Sequence, residues 1–138
     1  MLTGHVLHSD GAFAEALSLE WSQPVTMDGR TVILQAARKI PAAILELLTS
    51  QSVDPESVSA FLMHQANQNL IDRVAKAIGV PKDRFPSNIA RYGNTSSASM
   101  LIVAAEYFEQ HPPTPGDTFC FAAFGAGFHW GALLAIAQ

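Results

Sequence analysis

The sequence predicts an α/β domain in which helices cover both faces of a sheet. Short apolar runs of strand length alternate with longer segments of helical periodicity along the 138 residues, as is typical of α/β folds. Apolar residues make up 49% of the chain and charged residues only 14%, well below the usual quarter. This depletion indicates a deeply packed core or a large face covered by a partner, and we favour the covered face. We expect one domain over residues 1–138.

The first half of the chain predicts a strand, a long helix and a second strand. "LTGHVL" has strand composition and ends at the turn-prone "HSDG". A helix is expected from near Asp28 to about Leu48, and Pro41 should kink it or split it in two. Asp54 followed by Pro55 is typical of an N-cap residue with proline at the first helical position, which indicates that a new helical segment begins there. "VSAFLM" then reads as a short buried strand.

The second half predicts two helices followed by two strands. "QANQNLIDRVAKAIGVP" is the clearest helix: one face is apolar, Asp72 can pair with Lys76, and Gly79 should end it. Residues 95–109 predict another helix, whose first turn consists of small residues. After the proline-rich loop "HPPTPGD", the chain ends in two buried strands joined at "GAG".

Composition also excludes several classes of function. A formal net charge of −4 gives no basic surface for nucleic acid or an anionic membrane, and no apolar stretch is long enough to span a bilayer. A lone cysteine, Cys120, allows no internal disulfide and lies in apolar sequence with no base beside it. His5 and His8 would point to opposite faces of a strand, so we expect no metal site there. These features predict a cytoplasmic protein.

Three segments place unusual residues at element ends, where binding groups tend to lie. The first is the junction of strand and helix at "HQAN", where His64 either faces a cleft or, with Asn67, caps the helix. The second is "RYGNTSSAS", in which Asn94 could be an ordinary N-cap, although the small residues after it would also permit close backbone approach. The third is "FGAGFHWG", a plain hairpin turn or a spot from which side chains are excluded.

The order and spacing of these motifs resemble the C-terminal half of β-ketoacyl-acyl-carrier-protein synthase III. "HSDG" and "MDGRTVILQAA" extend the resemblance over nearly the whole chain. The resemblance implies the C-terminal half of a thiolase-like fold, with a mixed sheet covered by helices on both faces. It also implies a decarboxylative Claisen condensation of an acyl-CoA with malonyl-acyl carrier protein in fatty acid biosynthesis, without a cofactor or metal.

The same resemblance assigns roles to individual residues. His64 and Asn94 match the catalytic pair that stabilises the malonyl-derived enolate, and the backbone N–H of Ala126 matches an oxyanion-hole donor. Lys76 matches a basic contact to the carrier protein, whereas Asn69 replaces another. Six residues match the lining of the pantetheine channel: Met27, Gly29, Ile33, Ala66, Asn67 and Phe124.

The chain also departs from the family. The family's nucleophilic cysteine lies in the N-terminal half of the fold and has no counterpart here, so the chain alone should be inactive. We therefore expect a partner, either that N-terminal half or a separate subunit, within a dimer of the full enzyme. Two alternatives stay open: an acyltransferase of specialised metabolism, or a non-catalytic half that stabilises a partner. Ala126 replaces a glycine, and a positive φ there would cost about 1 kcal/mol.

Overall fold

The computed structural model describes all 138 residues and contains six strands and four α-helices. The strands are Leu2–Ser9 (β1), Leu17–Ser18 (β2), Thr26–Met27 (β3), Ala60–Met63 (β4), Thr118–Gly125 (β5) and His129–Ile136 (β6). The helices are Gly29–Ser50 (α1), Gln68–Ile78 (α2), Ile89–Tyr92 (α3) and Ser99–Gln110 (α4). None of these helices combines the length and apolar character needed to cross a bilayer.

The main sheet is mixed, which confirms the predicted α/β class. Its strands lie in the order β1-β6-β5-β4, while β2 and β3 form a separate two-stranded ribbon. Strand β4 runs parallel to β5, and β6 pairs antiparallel with both β5 and β1. The parallel pair places the end of β4 beside the last residues of β5, so groups that follow both strands come to the same edge.

Helices lie on both faces of this sheet, but they cover the two faces unequally. Helices α1 and α2 pack on one face around a core that includes Ile44, Leu47 and Phe61. On the other face, α4 covers β4 and β5 through contacts of Ala104 with Ala60, Leu62 and Phe119. Strands β1 and β6 remain open on that second face.

Helix α2 forms as its sequence predicts, apart from one ion pair. The Asn67 side chain accepts a hydrogen bond from the Leu70 N–H (3.3 Å), and Gly79 ends the helix in the left-handed conformation (φ +75°). The predicted Asp72–Lys76 pair is wrong, because Asp72 pairs with Lys82 from the next turn. An exposed i,i+4 pair contributes only a few tenths of a kcal/mol, so a competing cation readily replaces it.

Helix α1 runs without interruption through Pro41, so the predicted split is wrong. The helix starts beside Asp28 as expected, and the Asp28 carboxylate caps it by accepting from the N–H groups of Arg30 and Thr31 (3.1 Å each). Pro41 is buried on the apolar face beside Ile40. Burial of that face offsets the cost of one lost backbone hydrogen bond.

The helix predicted over residues 95–109 begins as a 3-10 turn, Ser96–Ala98, and continues as α4 to Gln110. The short helix α3 was not predicted. It is tied to α4 by Arg91 and Tyr92, whose side chains donate to the Glu106 carboxylate (2.6 and 2.7 Å). Such contacts between residues 14 and 15 positions apart leave no local periodic signal.

Candidate active site

His64 is the first residue after β4, and the sheet itself sets its position. Its backbone N–H donates to the Ala122 carbonyl (3.0 Å), which continues the parallel ladder one step beyond Met63. The imidazole points to the second face of the sheet, where it lines a large apolar groove. A histidine at this strand end therefore places a polar group on an otherwise apolar surface.

Ser99 fixes which nitrogen of His64 carries the proton. The Ser99 Oγ accepts a hydrogen bond from the Gln65 N–H (3.0 Å) and lies 2.6 Å from His64 Nδ1. The Ser99 hydroxyl hydrogen has no other acceptor within the chain, so it is donated to Nδ1. Neutral His64 then carries its hydrogen on Nε2, the nitrogen that Ser99 leaves free.

Burial keeps this imidazole neutral. Removal of His64 from water lowers its pKa below the ordinary value of 6.5, because the charged form loses hydration. No carboxylate pairs with the ring to offset that loss. At neutral pH the group is therefore a hydrogen-bond donor rather than an acid.

Gln65, next to His64, has a structural role. Its side chain is fully buried; Nε2 donates to the Met63 carbonyl (2.8 Å), and Oε1 accepts from the Asn88 N–H (3.3 Å). One interpretation of "HQAN" was that His64 and Asn67 both cap the helix. Asn67 does cap α2. That alternative holds for Asn67, whereas the His64 ring bonds Ser99 and takes no part in capping.

Asn94 lies on an exposed turn just before the 3-10 turn that leads into α4. Its Oδ1 accepts a hydrogen bond from the Ser96 N–H (2.9 Å), so the carbonyl end of the amide is engaged. Its NH₂ group makes no hydrogen bond within the chain and is free to donate. Asn94 does not line the groove, but Ser96 and Ser97, which follow it, line the groove together with His64.

The segment "FGAGFHWG" forms a hairpin turn between β5 and β6, with Gly125 opposite His129. The structure explains why two positions of this segment are glycine. Gly127 adopts a φ of +129°, and a Cβ on Gly131 would lie 2.5 Å from the Val6 carbonyl oxygen. Ala126 is exposed and has no positive φ, so the cost of a positive φ does not arise, and its N–H makes no hydrogen bond within the chain.

The groove that His64 lines encloses about 1060 Å³ over the open part of the sheet. Its lining comes from β1, β5, β6 and the start of α4, and it is predominantly apolar. Three of its leucines are strongly exposed, Leu2 at 67%, Leu7 at 77% and Leu101 at 64%. Exposed apolar surface on this scale marks a binding or association site.

The other residues assigned by the resemblance are spread over the fold. Phe124 lines the groove with His64. Ala66 is exposed close to His64 in the chain. Met27, at the end of β3, and Gly29 and Ile33, in the first turns of α1, take no part in the groove lining. Lys76 is exposed on α2.

Cys120 lies within β5, fully buried. Burial raises the pKa of its thiol to about 12, because a thiolate there would lose its hydration. The only cysteine of the chain is therefore protonated at neutral pH and unsuited to nucleophilic attack.

Replacement of Ser99 by alanine is expected to release His64 from its single tautomer. The variant leaves the Gln65 N–H buried without a partner, which should lower the free energy of unfolding by about 1–3 kcal/mol. Imidazole ¹⁵N chemical shifts would report the proton moving from Nε2 to a mixture of both nitrogens. Ser97→Ala is the control, since Ser97 is exposed and makes no hydrogen bond. Unchanged ¹⁵N shifts in Ser99→Ala would contradict this role.

Comparisons with known proteins agree with the resemblance seen in the sequence. The sequence model "3-Oxoacyl-[acyl-carrier-protein (ACP)] synthase III C terminal" matches residues 48–136. The β-ketoacyl-[acyl-carrier-protein] synthase III of Gloeobacter violaceus is 44% identical over 111 residues, covering 80% of this chain and 34% of that protein. The corresponding protein of Acaryochloris marina is 33% identical over 150 residues, covering 96% and 45%.

A solved structure gives the same answer for the fold. The crystal structure of 3-oxoacyl-[acyl-carrier-protein] synthase III from Aquifex aeolicus superposes with a TM-score of 0.94 at 32% identity, covering 99% of this chain and 44% of that one. This match confirms the predicted thiolase-like fold. The chain spans a third to a half of the length of the curated relatives it matches. With a family match over nearly two thirds of its residues, the chain belongs to the 3-oxoacyl-[acyl-carrier-protein] synthase III family.

Proposed function

We propose that this chain is the C-terminal half of a synthase III-type condensing enzyme of fatty acid biosynthesis, and that His64 and Asn94 act on its malonyl substrate. The observation that carries the proposal is that the acceptor atom of each of these two side chains is already engaged. Ser99 occupies His64 Nδ1 and the Ser96 N–H occupies Asn94 Oδ1, so each side chain keeps only an N–H to offer. Two neutral N–H donors suit a developing oxyanion better than a charged acid would.

The chemistry explains why neutral donors are needed. Loss of CO₂ from a malonyl thioester leaves an electron pair that delocalises as an enolate, with negative charge on the thioester oxygen. Donors fixed at that oxygen are commonly worth about 3–4 kcal/mol each. A protonated imidazole could instead transfer its proton to the carbanion and quench it. The lowered pKa of His64 keeps the ring in the productive form.

The enolate carbon then attacks the carbonyl carbon of an acyl thioester held on a cysteine. A carbon–carbon bond forms, the cysteine leaves as a thiolate, and a β-ketoacyl thioester remains. Ala126 is proposed to donate its unbonded N–H to the oxygen of the acyl thioester. One thioester supplies the acyl group and the malonyl thioester supplies the carbanion by losing CO₂. The reaction therefore requires neither a cofactor nor a metal.

The nucleophilic cysteine must come from outside this chain, because Cys120 is buried and protonated. We propose that the N-terminal half of the enzyme, or a separate subunit, supplies it and covers the apolar groove. The low charge content of the chain is consistent with such a covered face. A chain without that partner would carry the donors but could not hold an acyl group.

The substrates proposed are an acyl-CoA and malonyl-acyl carrier protein, used by a dimer of the full enzyme in the cytoplasm. The pantetheine arm would run past the start of α1 and the "HQAN" segment, with Lys76 meeting the carrier protein. The proposed channel residues are those that the resemblance assigned: Met27, Gly29, Ile33, Ala66, Asn67 and Phe124.

Product analysis tests the proposal and separates it from the two alternatives. The chain is combined with the cysteine-bearing half and given radiolabelled acyl-CoA, with and without malonyl-acyl carrier protein. Condensation predicts a β-ketoacyl product and CO₂ only when the malonyl thioester is present. Transfer of the acyl group to an amine or alcohol without CO₂ release would overturn the proposal in favour of an acyltransferase. Activity that is indifferent to Asn94→Ala, compared with the exposed control Asn69→Ala, would indicate a non-catalytic half.

A further inference from the structure

Lys39 of α1 is a nearly enclosed cation outside the site described above. Only 12% of its side chain is exposed, and its Nζ lies 2.9 Å from Asp10 Oδ2. The same Nζ lies 3.9 Å from the centre of the Trp130 ring and 5.5 Å from that of Phe13. A cation with one carboxylate and two aromatic rings around it is held far more firmly than a surface lysine.

Asp10 connects this cation to the glycine turn, residues 125–128. The Asp10 N–H donates to the Phe128 carbonyl and the Phe128 N–H donates to the Asp10 carbonyl, both at 2.8 Å. The Asp10 carboxylate also accepts from the Ala12 N–H, and the hydrogen bond from Lys39 holds its pKa below the usual range. The last residue of the turn is thus bonded through its backbone to the partner of Lys39.

Aromatic packing holds the same end of the turn. Phe128 is fully buried. Its ring stacks on Phe13, with ring centres 5.3 Å apart, and packs at a tilt against Phe124, with ring centres 4.7 Å apart. Trp130, which follows the turn, carries Lys39 on its ring face. Lys39 therefore contacts groups on both sides of the turn, Asp10 and Phe13 on one side and Trp130 on the other.

The opposite end of the turn is held by the sheet, because Gly125 ends β5 and pairs with His129 of β6. Ala126 is exposed, and its N–H makes no hydrogen bond within the chain. Only Gly127, at φ +129°, separates it from Phe128. The Ala126 N–H thus lies between two held ends, the β-ladder at Gly125 and the Asp10 pair at Phe128, and loosening the Phe128 end would let its direction vary.

We propose that Lys39 and Asp10 form a positioning pair that fixes the glycine turn and aims the Ala126 N–H at the oxygen of the acyl thioester. This inference rests on the proposed function for its catalytic meaning. In this role Lys39 touches no reacting atom and acts only through Asp10, Trp130 and the turn. It serves acylation of the cysteine and the attack on the acyl group, whereas decarboxylation of the malonyl group depends on His64 and Asn94.

The test compares Lys39→Met, which keeps the length of the side chain without its charge, with Lys39→Arg, which keeps the charge. In the enzyme that contains both halves, Lys39→Met should lower the rate of acyl transfer from acyl-CoA by about 10- to 100-fold, the range expected when a reacting group is misplaced by about 1 Å. The KM should change by less than about twofold, and malonyl decarboxylation, assayed separately, should change little. Lys39→Arg should restore most of the acyl-transfer rate.

A second readout does not depend on activity. Amide hydrogen exchange of Phe128 should accelerate at least about tenfold in Lys39→Met and stay near the wild-type rate in Lys39→Arg, because exchange follows local opening. Unchanged exchange at Phe128, or an equal loss in both half-reactions, would overturn the proposal. If the wild-type enzyme carried out neither half-reaction, the proposed function would fail, and accelerated exchange in Lys39→Met would still establish that Lys39 holds the turn.

Discussion

Replacement of His64 by alanine is expected to lower the rate of condensation by on the order of 10²–10³-fold, the usual effect of removing one oxyanion donor. The loss should lie in the malonyl half of the reaction, because His64 Nε2 is the donor proposed for the enolate oxygen. Acyl transfer from acyl-CoA to the cysteine should remain close to the wild-type rate. Measurement of CO₂ release and of the acyl-enzyme burst in the same preparation separates the two steps.

The control for this prediction is His111→Ala. His111 is exposed at the end of α4 and takes no part in lining the groove. The His111→Ala variant should therefore leave the rates of both CO₂ release and acyl transfer unchanged. If His64→Ala slowed acyl-enzyme formation as much as CO₂ release, His64 would have a general structural role, and the assignment to the enolate would be wrong.

The pH dependence follows from the lowered pKa of His64. The folded protein keeps the ring neutral below pH 6.5, where the unfolded chain has already taken up a proton. Because the unfolded state binds more protons in that window, stability falls as the pH decreases from about 6.5 towards the folded-state pKa. CO₂ release should decline only at the lower, folded-state pKa. This decline should be absent from the residual activity of His64→Ala.

Local sequence pattern was enough to predict the elements whose first and last residues are marked by capping and helix-ending residues. Helix α2 has an apolar face, an Asn67 cap and a Gly79 stop, and all three are found in the structure. By contrast, Pro41 lies inside α1, where it is buried, although proline prefers helix ends. A proline inside a helix costs about 3 kcal/mol relative to alanine. Burial of the apolar face of this 22-residue helix can exceed that cost.

Motif spacing singled out His64 and Asn94 as candidates, but it could not predict which residues hydrogen-bond to them. Ser99 lies 35 positions from His64 in the sequence, and the two meet only because α4 starts beside the end of β4. The Lys39–Asp10 pair, 29 positions apart, escaped prediction for the same reason. A charge or hydroxyl whose partner is distant in sequence leaves no periodic signal, so its role emerges only from tertiary structure.

The apolar groove leads to the second large effect, which concerns assembly. Substitution of Leu101 by glutamate is expected to abolish association of this chain with the cysteine-bearing half. Leu101 lies on α4 and lines the groove, and 64% of it is exposed in the chain alone. If the partner covers the groove, the substitution leaves a carboxylate buried without a counter-ion. That should cost about 3 kcal/mol or more, which is over 100-fold in Kd.

Leu34→Glu is the matched control for Leu101→Glu. Leu34 is likewise a leucine on a helix, 54% exposed on α1, but it does not line the groove. Both variants should leave the free energy of unfolding of the chain within about 0.5 kcal/mol of the wild type, as exposed substitutions usually do. Titration calorimetry with the cysteine-bearing half should show binding lost for Leu101→Glu and retained for Leu34→Glu. Equal binding by both variants would mean that the groove faces solvent in the assembled enzyme, and a partner would then have to supply its cysteine from another side.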